Sequence, residues 1–315
     1  MPLRPTTRPV RKLCPWSDGR PRRSKAQIAP GLLLLAGCLM TSAGYPTQSP
    51  SASTEFTNPQ RVTMRGYSDH AMEPFLTRDG KYLFFNNSND PQANTNLHWA
   101  ERIDDLTFQY KGEIAGVNSA ALEGVPSMDR EGIFYFVSTR SYNQTASTIY
   151  LGKFVNGAIS DIELAAGIST STPGIVNFDS EISGNGKTLY FVESQFTLAG
   201  RPKTARILMA RRMGNSFHRD LDSATISLQP INTDTLNYAP ATSLSEVEMF
   251  FTRLDADGPA IYTANRPTAA AEFGTPRKIR AITGFAEAPT LSPDEKSLYY
   301  HKKEKGRFLI YRVTR

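Results

Sequence analysis

Cysteine is almost missing from this chain. Of 315 residues only Cys14 and Cys38 carry a thiol. Everything beyond residue 38 therefore lacks disulfides, thiol nucleophiles and cysteine metal ligands, and must be held by its core alone. Histidine is also scarce: His70, His98, His218 and His301 lie far apart, with no His-x-x-x-His pair of the kind that binds zinc. The Gly-x-Ser-x-Gly elbow of serine hydrolases is absent. Thr77-Arg78-Asp79-Gly80 sets Asp and Gly side by side and so fails the Ser-x-Asp-x-Gly box of sialidases. Asp255-Ala256-Asp257-Gly258 lacks the remaining ligands of a calcium loop and reads as a hairpin turn. No cofactor motif is present, so no cofactor is expected. Long apolar runs are missing too. Ile28 to Gly37 falls well short of the ~20 residues that span a bilayer.

Charge is unevenly placed. The whole chain holds 36 basic and 30 acidic residues, net +6. Residues 1–37 hold eight of the bases and one acid, Asp18. That leaves 28 basic and 29 acidic residues downstream, net −1. The folded part thus lacks the cation excess that nucleic-acid binding needs, and no nucleic-acid partner is expected.

The basic leader, short apolar run and Leu35-Ala36-Gly37-Cys38 resemble a bacterial lipoprotein signal ending in a lipobox. The resemblance implies that Cys38 is acylated and becomes the mature N-terminus. Leu39, in place of aspartate, implies sorting to the outer membrane, facing the periplasm. An ordinary signal peptide and a secreted protein is the alternative. Residues 38–59, rich in Thr, Ser, Pro, Ala and Gln from Thr41 to Pro59, read as a flexible tether.

Residues 60–315 carry one phrase five times. It runs from Glu73 to Phe85, Glu123 to Phe136, Asp179 to Phe191, Asn237 to Phe251 and Glu287 to Tyr300. A proline slot (Pro74, Pro126, Ser180, Pro240, Pro289) is followed six residues later by a turn position (Gly80, Gly132, Gly186, Glu246, Glu295) and then by an aromatic strand. The slots are separated by 52, 54, 60 and 49 residues, as expected of one supersecondary unit reused with variable loops. The turns favour hairpins and the Tyr-Leu-Phe-Phe-type segments favour strands. A third strand follows, as in Thr148-Ile149-Tyr150-Leu151, and a weaker outer one, as in Gln109 to Ile114 or Arg277 to Ile282. Four strands per unit is a propeller blade.

The recurring proline, turn, aromatic strand and Ile-Tyr-type strand resemble the TolB-type (WD-like) β-propeller repeat. The expected fold is therefore an all-β propeller of four-stranded blades, five in number, with six as the alternative. Only three strands fit after Pro289, and Gln60 to Met64 is otherwise unused. The N-terminal strand is expected to complete the last blade and close the ring.

Acids recur near each proline slot: Glu73, Glu123, Asp179, Glu181 and Glu287, while the fourth copy has Asn237 and Tyr238. They are candidates for a ligand-binding channel mouth, or parts of the repeat that bond neighbouring blades. Their offsets from the slot differ, so one ring of five is not required. Two functions remain. The leading expectation is a lipid-anchored, non-catalytic propeller binding an envelope protein or cell-wall component. The alternative is a carbohydrate-active enzyme or sugar binder using paired carboxylates at the channel.

Overall fold

The computed structural model describes residues 55–315, apart from 91–92, 198–201 and 234. The leader, Cys38 and nearly all of the tether lie outside the described residues. Two N-terminal strands, β1 (Thr57–Arg61) and β2 (Thr63–Arg65), precede the first blade: β3 (Met72–Leu76), β4 (Tyr82–Asn86), β5 (Leu97–Asp104) and β6 (Thr107–Glu113). Blade two holds β7 (Glu123–Met128), β8 (Ile133–Ser138), a single helical turn α1 (Tyr142–Thr145), β9 (Ile149–Val155) and β10 (Ala158–Leu164). Blade three is β11 (Ile175–Ile182), β12 (Thr188–Phe196), β13 (Pro202–Met213) and β14 (Ser216–Asp220). Blade four is β15 (Asn237–Thr242), β16 (Glu248–Asp255), β17 (Gly258–Asn265) and β18 (Arg277–Lys278). Blade five is β19 (Ala286–Leu291), β20 (Ser297–Glu304) and β21 (Arg307–Thr314).

The fold is a five-bladed propeller. The 60-residue step holds no sixth blade; turns over residues 221–231 fill it. Strand β1 pairs antiparallel with β21 and supplies the fourth strand of blade five. The expected closing segment divides at Val62. Its first part serves blade five, and β2 crosses to pair in parallel with β6 of blade one. Strand β1 also starts inside the stretch read as tether, so Phe56, which is buried against Phe250, belongs to the propeller.

The aromatic strands explain the ring. Side chains alternate faces along a strand, and here both faces are covered. Phe84 packs toward blade two, while Leu83 and Phe85 pack toward blade five. Phe134 and Phe136 face blade one, and Tyr135 faces blade three. Leu189 and Phe191 face back, and Tyr190 and Val192 face forward to Phe251. Phe250 meets Tyr300, and Tyr299 returns to the Phe85 cluster. Five cores, each shared by two blades, replace one central core. That is why these strands read as unbroken apolar runs instead of alternating ones.

The turn six residues after the proline slot is left-handed in all five copies: Gly80, Gly132 and Gly186 at φ 72°, 78° and 70°, and Glu246 and Glu295 at 58° and 59°. Fully buried Thr77 and half-exposed Asp79 show its wiring. Thr77 Oγ1 donates to Asp79 Oδ1 at 2.6 Å, and the same oxygen accepts the Lys81 N–H at 3.1 Å. Where glycine is lost, side-chain bonds offset the strain. Glu295 Oε1 accepts the Leu244 N–H at 2.9 Å, and Glu246 Oε2 accepts the Tyr190 hydroxyl at 3.0 Å.

Candidate active site

The inner strands β3, β7, β11, β15 and β19 form the channel wall, and each breaks register just before its proline slot. The residue at the break is left-handed in every blade: Glu73, Val125, Asp179, Ala239 and Ala288, at φ 49° to 55°. Such a bulge re-aims a side chain. Each non-glycine residue held there costs about 1–2 kcal/mol. Because Ala239 and Ala288 hold the same conformation, the strain belongs to the architecture, and Glu73 and Asp179 make use of it. Proline can follow the bulge because each inner strand is the edge of its sheet, where no ladder N–H is needed.

The bulge gathers side chains at one end of the channel. Glu73, Asp179 and Glu287 line a pocket of about 460 Å³ with Tyr238, Asn89 and an apolar wall that includes Val125, Tyr142, Phe178 and Phe196. Below it, the five residues of the proline slot surround a space of only about 30 Å³, the share of roughly one water molecule. Beyond that lies Arg78, from the turn after β3. It reaches across the ring to blade three, where Nη2 meets Glu181 Oε1 at 2.6 Å and the Ile182 carbonyl at 2.8 Å. Both side chains are about 6% exposed, so the far end is plugged and the pocket is blind.

Of the five candidate acids, the structure brings three together and sets two apart. Glu73 and Asp179 sit one residue before the slot and Glu287 two before, which places them in the pocket. Glu123, three before, turns away into the blade. It is fully buried and bonded to the Ser119 N–H, Ser119 Oγ, Ser138 Oγ and Arg140. Glu181, one after, lies on the Arg78 side and also accepts from Ser127 Oγ at 3.0 Å.

The pocket acids are tied into a network. Asn89 Nδ2 donates to Glu73 Oε1 at 2.6 Å. Asp179 Oδ2 accepts the Ala239 N–H at 2.9 Å. The Tyr238 hydroxyl donates to Glu287 Oε1 at 2.5 Å, and His301 Nε2 lies 3.0 Å from Glu287 Oε2. Burial raises the Glu73 carboxyl's pKa, with the nearby Glu287 adding to the rise. Burial, and then the Glu73 charge, push Asp179 well above the ordinary carboxylate range. Tyr238 is likewise raised by burial and by Glu287. For His301 burial favours the neutral ring, but the bond to Glu287 and the charge of Glu73 outweigh it and the net direction is upward. Among the described residues no group of acids and histidines has the arrangement of a metal site.

Sequence reasoning missed Asn89, Tyr142, Phe178, Phe196 and His301. Tyr238 was noted only as the fourth copy's substitute for an acid. It shares Glu287's offset from the slot, and that is the signal that pairs them.

By sequence, the chain matches no protein-family model and no curated protein. By structure it is similar to several propellers. A glycoside hydrolase aligns at 10% identity over 82% of this chain and 92% of its own, with a TM-score of 0.59. An endo-arabinase from Bacteroides thetaiotaomicron aligns at 14% over 81% and 98%, with a TM-score of 0.55. TolB from Acinetobacter baumannii aligns at 16% over 78% and 55%, with a TM-score of 0.43. At these identities the likeness is one of fold. The expectation of a non-catalytic, partner-binding propeller is nevertheless corrected. The chain is similar over most of its length to glycoside hydrolases, and the channel mouth is a blind pocket of converging acids instead of a flat docking face.

Proposed function

We propose that this protein is a carbohydrate-active propeller, and that the blind pocket holds the end of a neutral glycan. The observation that carries the reading is the convergence of Glu73, Asp179 and Glu287 in one pocket, open at the mouth and plugged below, with aromatic walls. Glycosidic cleavage calls for a carboxylic acid that still holds its proton beside a carboxylate acting as base or nucleophile. Asp179, buried and pushed upward, is the proton donor in this reading. Glu287, accepting from both Tyr238 and His301, is the oriented acceptor. Glu73, held by Asn89, raises Asp179 by its charge. Phe178, Phe196 and Tyr142 offer faces for a sugar ring. Among the described residues no lysine or arginine lines the pocket, so none of them would offset a carboxylate on the ligand, and uronic acids are disfavoured. The fold likeness to an endo-arabinase makes pentose oligosaccharides the first substrates to try. Anchoring through Cys38 in the bacterial envelope is part of the same proposal and is consistent with a substrate met outside the cytoplasm.

The test is release of reducing sugar from neutral oligosaccharides. Asp179→Asn and Glu287→Gln each should lower it by about 10²–10⁴-fold while leaving the fold intact. Unchanged rates in both variants would contradict the assignment.

A further inference from the structure

The slot twelve residues after each proline position accepts the bulge N–H of the next blade in three of the five blades; in blade two it is Ser138, which donates to Glu123 instead. In blade one Asn86 Oδ1 accepts the N–H of Val125, the bulge residue of the next blade, at 3.0 Å. In blade four Thr252 Oγ1 accepts the bulge N–H of Ala288 at 3.1 Å. In blade three Val192 occupies the slot and has no acceptor, and Asp179 takes the Ala239 N–H in its place. In blade five the slot is His301, whose Nδ1 accepts the bulge N–H of Glu73 at 3.1 Å across the closing seam.

Histidine differs from the other occupants in where its second arm goes: that of Asn86 reaches Asn89, whereas that of His301 reaches a pocket acid. A backbone N–H can only donate, so the Glu73 bond requires Nδ1 to be bare. The ring proton is then on Nε2, which lies 3.0 Å from Glu287 Oε2 and donates to it. The other Glu287 oxygen is taken by Tyr238. His301 is fully buried, and the Phe308 ring stands edge-on to it at 5.4 Å, so it cannot swing away. One imidazole thereby ties the backbone of one pocket acid to the carboxyl of another, across the seam between blades five and one.

We propose that His301 is the positioning residue of the pocket: an imidazole with a bare Nδ1 and a proton on Nε2 that fixes Glu73 and Glu287 in one geometry. The neighbouring carboxylates favour a charged ring, but a second proton could go only on Nδ1, where it would face the Glu73 N–H and break that bond. What that geometry is used for rests on the carbohydrate reading; the tautomer and the hold on Glu287 do not. Asparagine is the informative replacement, because Asn86 already fills the equivalent slot as acceptor through Oδ1 while its Nδ2 donates to Asn89 Oδ1 at 2.8 Å. His301→Asn keeps an acceptor and a donor on a shorter side chain; His301→Ala keeps neither.

The experiment uses the full chain. Histidine ring nitrogens are observed by ¹⁵N NMR at neutral pH, and the Glu287 side-chain carboxyl by ¹³C in wild type and both variants. The expected result is a His301 ring protonated on Nε2 with a bare Nδ1. The Glu287 carboxyl signal moves in His301→Ala and returns toward wild type in His301→Asn. Sugar release from neutral oligosaccharides follows the same order, with at least a tenfold loss in the alanine variant and most of it restored by asparagine. A proton on Nδ1, or a Glu287 signal indifferent to the alanine change, would overturn the proposal. If no oligosaccharide is cleaved but the two NMR signatures appear, the hold on Glu287 stands and it is the carbohydrate reading that falls.

Discussion

The Tyr238 hydroxyl donates to Glu287 across the boundary between blades four and five, at 2.5 Å. Both residues sit two positions before their proline slots, so the repeat itself brings them face to face. Hydrogen bonds to charged groups contribute about 1.5–3 kcal/mol. Tyr238→Phe should therefore lower sugar release by roughly 10–100-fold and lower the melting temperature by several degrees. Wild-type rates in this variant would show that Tyr238 does not orient Glu287.

Asp179 should cost the protein stability at neutral pH. Unfolded, the carboxyl loses its proton near the ordinary value; folded, it holds it to higher pH because of burial and Glu73. Below the unfolded pKa both states are protonated and the group contributes nothing. As pH rises from there the folded state binds more protons than the unfolded one, so stability falls until the folded pKa is passed. Asp179→Asn, which can still accept the Ala239 N–H, should be more stable than wild type at pH 7 and indistinguishable from it near pH 3. Denaturant melts at the two pH values measure this. A variant less stable at pH 7 would refute the argument.

The plug at the far end makes a different prediction. Arg78 and Glu181 are both nearly buried, and removing one partner of such a pair costs about 3–5 kcal/mol, because the other charge is left unpaired. Arg78→Met should lose about that much. Adding Glu181→Gln should recover part of it, and a double variant no more stable than the single one would contradict the pairing.

Much of this fold was legible in the sequence, for a physical reason. The proline slot, the turn and the aromatic strand lie within about a dozen residues of one another, so each blade announces itself locally. Closure by the N-terminal strand could also be read, because the last repeat runs out of chain after three strands. What the sequence concealed is the aim of side chains at the bulge. Glu73, Glu123, Asp179, Glu181 and Glu287 look alike as acids beside a proline. Only their offsets of one, three or two before it, or one after, separate the pocket from the blade interior and from the plug. His301 was hidden further, since its partners lie 228 and 14 residues away. The functional expectation went astray at the same point. Without the bulge there was no reason to gather three carboxyls, and a scaffold without a catalytic motif looked like a binding partner.

The envelope anchor is tested separately from the propeller. Cys38→Ala should move the protein from the membrane fraction to the soluble periplasm, since the acyl chains rather than any span would hold it. Fractionation followed by immunoblotting reads the outcome. Unchanged retention in the membrane fraction would contradict lipidation at Cys38.

The central claim is that the acidic mouth binds sugar. It is met most directly by titrating a neutral pentose oligosaccharide into ¹⁵N-labelled Asp179→Asn protein, in which cleavage should be stalled. The account predicts shifts clustered at Asn89, Tyr142, Phe178, Tyr238 and Glu287, with an equivalent galacturonate oligomer giving none. Shifts confined to another surface, such as the cleft around Arg102 and Asp105, or stronger binding of the galacturonate, would contradict it.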